Sequence, residues 1–92
     1  MAGKKVKSVL PRQASPEQCF WCCDGRIIKN LVELEKAFNE MSDSIFSYHA
    51  NSKKNDFAKW VKDILGEGKL ASELKKCKNR KDAAKKVSEK LK

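Results

Sequence analysis

Residues 19–30 read CFWCCDGRIIKN, two short apolar runs around Asp24-Gly25. Asp-Gly is a favoured pair for a two-residue type I′ turn, because both central positions need positive φ. Such a turn pairs Cys23 with Arg26, Cys22 with Ile27, Trp21 with Ile28 and Phe20 with Lys29. Trp21 and Ile28 then share one face, and Phe20, Cys22 and Ile27 the other. A lone hairpin is marginal in water, so helices must cover at least one of its faces.

Helical patterns follow at once. Asn30 can cap a helix, with Glu33 three residues on and Leu31, Leu34, Phe38 and Met41 at helical spacing. Ser42-Asp43 reads as a fresh N-cap for a short helix through Ile45, Phe46, Tyr48 and His49. Residues 50–54 are a polar connection, after which Asn55 or Asp56 caps a third helix. Its Phe57, Trp60, Val61, Ile64 and Leu65 recur at i, i+3, i+4, i+7 and i+8, and Gly66 stops it. Leu70, Leu74 and Cys77 mark a fourth helix. Asn79, with Asp82, opens a last one bearing Ala83, Ala84, Val87 and Leu91. That stripe is thin, so the helix is expected to bury little and to be weakly docked or awaiting a partner. The expected fold is mainly α (α+β), an N-terminal β-hairpin packed on four to five short helices.

Both prolines, Pro11 and Pro16, fall within the first 18 residues, where no period survives. Three segments are expected: a flexible basic tail over 1–18, a globular hairpin-plus-helices domain over 19–78, and a basic C-terminal helix over 79–92. Ninety-two residues, 40% of them hydrophobic, suffice for one modest core. No apolar run approaches the roughly 18 residues of a membrane span, and the N-terminal stretch lacks the apolar core of a signal peptide. These features imply a cytoplasmic protein with no membrane partner. In a reducing compartment its four cysteines are thiols or metal ligands rather than a disulfide framework.

Cys19 and Cys22 have the CxxC spacing of a zinc knuckle, with Cys23, His49 and Cys77 available as further ligands. In a strand, however, positions i and i+3 point to opposite faces. The favoured reading is no metal and no cofactor, with Cys22 or Cys23 and Cys77 acting as small buried apolar residues. His49, the only histidine, is expected to hydrogen-bond locally and to fix the turn into Asn55-Asp56, not to serve as a general base. Lys53 and Lys54, just before the third helix, read as solvated lysines beside a cap. Trp60 belongs to the core stripe. An exposed hairpin aromatic beside Arg26 and Lys29 is a candidate contact surface. No catalytic constellation emerges, and the chain is not read as an enzyme.

The net charge is +9, unevenly placed. Residues 1–18 have a net of +3, residues 19–66 are neutral, and residues 67–92 have a net of +6. Two basic ends around a neutral middle are the electrostatic footprint of a polyanion binder.

At FWCCDGRIIKNLVELEKAFNEMSD (20–43) and YHANSKKNDFAKWVKDILG (48–66), followed by Leu70-Ala71, the order and spacing become distinctive. They resemble a small prokaryotic domain family, mainly archaeal and of uncharacterised function. Its pattern is an aromatic residue before DGR, then MSD, Tyr-His and KNDFAxW. The resemblance covers about residues 20–74. It implies domain limits and a prokaryotic, cytoplasmic setting, and it adds no activity.

The expected function is non-sequence-specific binding of nucleic acid, double-stranded DNA before RNA, by an architectural or nucleoid-associated protein. The phosphate-neutralising residues are Lys4, Lys5, Lys7, Arg26, Lys29, Lys75, Lys76, Lys78, Arg80, Lys81, Lys85, Lys86 and Lys90. Lysine far outnumbers arginine, which favours attraction to the backbone over bidentate reading of bases. The alternative is a protein-interaction adaptor with solubilising basic ends. A small core also leaves room for a homodimer formed through the terminal helix.

Overall fold

The computed structural model describes residues 13–92, so Lys4, Lys5 and Lys7 lie outside the described residues. A 3-10 turn (Pro16–Gln18) leads into strands β1 (Phe20–Trp21) and β2 (Ile27–Ile28). Five helices follow: α1 (Leu31–Glu40), α2 (Asp43–His49), α3 (Asp56–Asp63), α4 (Gly68–Lys76) and α5 (Arg80–Leu91). The fold is mainly α, with one N-terminal antiparallel hairpin packed on the helices.

The hairpin register differs by one residue from that of a two-residue turn. Phe20 pairs with Ile28 and Trp21 with Ile27. The Cys22 N–H donates to the Arg26 carbonyl at 3.0 Å, and the Gly25 N–H to the Cys22 carbonyl at 2.9 Å. The loop is therefore the three residues Cys23 to Gly25. Within it only Gly25 has a positive φ, 97°, which a type I′ turn would also require of Asp24. Burial explains the choice, since a one-residue slip exchanges the faces of Ile27 and Ile28. In the observed register Phe20, Cys22 and Ile28 all enter the core, while Trp21 and Ile27 point outward. The expected grouping of Trp21 with Ile28 is thereby corrected.

Four helices begin at side-chain caps of one kind. Asn30, Ser42, Asn55 and Asn79 each accept the backbone N–H three residues on, from Glu33, Ile45, Ala58 and Asp82. Glu33 reaches back to the Lys29 N–H at 2.9 Å, one residue before the cap. Gly66, with φ 72°, ends the turn that follows α3.

Phe57 of α3 sits among four aromatic rings from three other elements, β1, α1 and α2. Phe20 stacks on it at 4.8 Å, Phe46 lies parallel at 5.8 Å, and Phe38 and His49 meet it edge-on at 4.9 and 5.3 Å. Residues 13–18, read from sequence as tail, are tied to this body. The Ala14 N–H donates to the Lys29 carbonyl at 2.8 Å, and the Trp60 Nε1–H to the Gln18 carbonyl at 2.8 Å.

The thin stripe of α5 is seated, not idle. Ala83, Ala84 and Val87 are buried in the same core as α1 and α4, with Val87 completely enclosed. Small side chains let the helices approach closely, so few atoms suffice. Leu91, the last apolar residue of the stripe, is partly buried against the same core. Among the described residues, no helix is long and apolar enough to cross a membrane.

Candidate nucleic-acid interface

The site is built on a buried joint at His49, the last residue of α2. Its Nε2 lies 3.0 Å from the backbone nitrogen of Cys23 in the hairpin loop. A backbone N–H can only donate, so Nε2 is unprotonated and Nδ1 carries the hydrogen. That Nδ1–H donates to Asp56 Oδ2 at 2.9 Å. With both ring nitrogens engaged and Phe20 and Phe57 against its ring, His49 pins the hairpin, α2 and α3 together. The local bond towards Asp56 matches the sequence expectation; the reach back to Cys23 was not legible.

Asp56 also accepts from Lys54 Nζ at 3.2 Å. Burial opposes its charge, but the hydrogen bonds from His49 and Lys54 outweigh it and hold the carboxyl below its usual pKa. Lys54 Nζ in turn stands 5.0 Å above the ring of Tyr48, an aromatic side chain left 60% exposed.

The connection after α2 folds back on itself. Ala50 and Asn55 form an antiparallel bridge, the Asn51 N–H donates to the Lys54 carbonyl at 2.8 Å, and the Lys53 N–H to Asn51 Oδ1 at 2.9 Å. Asn55 caps α3 and donates from Nδ2 to the Leu74 carbonyl at 3.2 Å, which ties the loop to the end of α4. Beside this loop lies a cavity of about 560 Å³, rimmed by Lys53, Lys54, Lys59, Lys62 and Lys75 together with Asp56 and Asp63. A second hollow of about 370 Å³ shares Asn51, Ser52, Asn55 and Lys75 and continues over Lys76, Cys77 and Lys78. Seven lysines, from the loop before α3, from α3, from the end of α4 and from the connection after it, thus border two adjoining hollows that form a concave strip. At the start of α3 the Ala58 and Lys59 amides are answered by Asn55, and Asp56 occupies the first turn. An anion here would meet the lysine ammonium groups, not the helix end.

The fold divides the basic residues singled out from sequence. Lys75, Lys76 and Lys78 join the strip. Arg26 is engaged by Asp24 at 2.9 Å and Glu40 at 3.4 Å. Arg80 is engaged by Asp43 at 2.8 Å and by the carbonyls of Phe38 and Asn39. Lys29 stands 3.9 Å from Glu33, Lys86 3.9 Å from Glu89, and Lys90 3.1 Å from Glu67. Lys86 and Lys90 border a groove between α4 and α5 that also holds Lys69, Glu73 and Glu89. Lys81 and Lys85 are exposed on α5 and make no ion pair among the described residues.

Lys53 and Lys54, read from sequence as solvated lysines beside a cap, line the cavity with Lys59 and Lys62, which the sequence reading did not single out. Lys59 and Lys62 read as the wet side of an amphipathic helix, and only tertiary contact brings Lys75 beside them.

The thiols do not converge. Cys22 is buried, which pushes its thiol pKa up; Cys23 is exposed; and Cys19 and Cys77 donate weakly to the Ser15 and Glu73 carbonyls, each at 3.4 Å. Among the described residues no three His, Cys, Asp or Glu side chains gather as a metal-holding group. Compared with known family models, curated proteins and solved structures, the chain matches none.

Proposed function

We propose that this chain binds nucleic acid through the phosphodiester backbone without reading base sequence. The observation that carries the reading is the lysine strip. Six of its seven ammonium groups, on Lys53, Lys59, Lys62, Lys75, Lys76 and Lys78, have no ion-pair partner among the described residues, and the seventh, Lys54, bonds Asp56. Such a density of single point charges suits phosphates, whose capture needs charge more than fixed geometry. Arg26 and Arg80, with the forked donors that recognise guanine edges, are held by acidic and carbonyl groups of the protein itself. A cytoplasmic, nucleoid-associated architectural role in a prokaryote fits this chemistry.

The test is anisotropy of a labelled random-sequence oligonucleotide titrated at several salt concentrations. Binding should weaken steeply with salt. Replacing Lys53, Lys59, Lys62 and Lys75 together by Gln should lower the affinity and flatten the slope by up to about 0.9 per lysine removed. Unaltered binding by that variant, or binding indifferent to salt, overturns the reading. A protein-adaptor role has one specific support, the outward cross-strand pair of Trp21, 68% exposed, and Ile27.

A further inference from the structure

We infer that the preferred partner is single-stranded nucleic acid, with one base stacked on Tyr48, beside the lysine-lined cavity and on the ring face that Lys54 does not cover. The inference rests on the backbone-binding reading and narrows it. A double helix covers both faces of every base with its neighbours, so a protein ring reaches a base face only where the strand is open. Beside this cavity stands an exposed aromatic ring, Tyr48, joined to it through Lys54.

Tyr48 is 60% exposed, and it is linked to the cavity through Lys54, which lines the cavity and sits over the ring at 5.0 Å. The platform is also held in place. Lys54 is fixed by Asp56 at 3.2 Å, Asp56 by the buried His49 at 2.9 Å, and the His49 ring meets the Tyr48 ring perpendicularly at 5.0 Å. An aromatic group fixed before binding loses little freedom when a base stacks on it. The shape agrees. A hollow of about 560 Å³ falls in the range of small-ligand pockets, able to admit one extruded nucleotide, whereas a duplex is a broad cylinder that can only lie across it. Stacking is tolerant of base identity, so it adds affinity for an open strand without adding sequence preference.

The experiment compares an oligothymidylate of about 15 nucleotides, within the span that small single-strand binders cover, with a duplex of equal length. Four proteins are measured by anisotropy at fixed salt: the natural chain, Tyr48→Ala, Tyr48→Phe and the four-lysine Gln variant. The natural chain should favour the single strand. Tyr48→Ala should lose about tenfold on the single strand and nothing on the duplex, while Tyr48→Phe, which keeps the ring, should stay near the natural affinity. Tyr48 lies outside the core, so a circular dichroism melt should leave Tyr48→Ala unchanged. Equal affinity of Tyr48→Ala and the natural chain for the single strand overturns the inference, as does an equal loss on both oligonucleotides. If the four-lysine variant still loses binding in that case, the backbone reading stands alone. Failure of the natural chain to bind either oligonucleotide removes both.

Discussion

The Nε2 of His49 accepts the backbone N–H of Cys23 at 3.0 Å, twenty-six residues earlier in the chain. One acceptor on α2 thereby fixes the hairpin loop, while the opposite ring nitrogen fixes the first turn of α3 through Asp56. His49→Phe keeps a ring of similar size against Phe20 and Phe57 but leaves the Cys23 N–H without its acceptor and Asp56 Oδ2 with Lys54 as its remaining donor. A buried donor left unanswered costs about 1–3 kcal/mol and this one is only part-buried, so urea unfolding should show a loss toward the lower end of that range. A midpoint equal to the natural one would show that the joint contributes no net stability.

The Asp56 carboxyl supplies a pH dependence of known sign. Its pKa is lower folded than unfolded, because His49 and Lys54 hydrogen-bond the ionised form more strongly than burial penalises it. The stability it adds is complete above the ordinary aspartate pKa of about 4 and is lost as pH falls through the lower folded value. Urea midpoints taken from neutral pH down to about pH 3 should fall more steeply for the natural chain than for Asp56→Asn. Parallel curves would contradict the assignment.

The hairpin register makes a prediction that separates two adjacent isoleucines. Ile28 is almost wholly buried with Phe20 and Cys22, whereas Ile27 is half exposed beside Trp21. Ile28→Ala should cost about 2–5 kcal/mol in chemical denaturation, as a buried large-to-small change does, and Ile27→Ala less than about 1 kcal/mol. A two-residue turn would reverse the ranking.

These isoleucines also show where sequence stops being informative. The caps Asn30, Ser42, Asn55 and Asn79 act within three residues, so their signals lie in single short windows. The Asp24-Gly25 pair is compatible with a two- or a three-residue loop, and Gly25 takes positive φ in both. Only the helices lying over one face decide which isoleucine goes inward. Likewise Ala83 and Ala84 read as a weak stripe until α1 is close enough to touch them. Lys59, Lys62 and Lys75 are neighbours by tertiary contact alone; Lys86 and Lys90, close to Lys75 in sequence, border acidic groups of the α4–α5 groove.

The exposed and buried thiols should differ in reactivity. Cys22 is enclosed and its thiol pKa raised by burial, and Cys77, half-buried, is raised for the same first reason. The thiolate is the reacting species, so both should resist iodoacetamide in the native protein while exposed Cys23 is alkylated. Peptide mapping by mass spectrometry after a brief native pulse would check this. Equal labelling of Cys22 and Cys23 would mean that the hairpin opens faster than it is modified.

Arg80 separates the structural cations from those left for a partner. Its Nε donates to Asp43 at 2.8 Å, and its Nη1 to the carbonyls of Phe38 and Asn39 at 3.1 and 3.4 Å. Those carbonyls belong to the last turn of α1, where helix geometry leaves acceptors without intrahelical donors. A guanidinium held there joins the start of α5 to the end of α1 and the start of α2. Arg80→Gln removes the charge and the fork together and should lower stability by about 1–3 kcal/mol. Arg80→Lys keeps the charge but reaches fewer acceptors, so it should recover only part of that loss. Neither change should alter the salt slope of oligonucleotide binding, because the charge already faces Asp43. Should Arg80→Gln instead keep its urea midpoint and flatten that slope, Arg80 belongs with Lys75 and Lys78 as a phosphate contact and is not a structural cation.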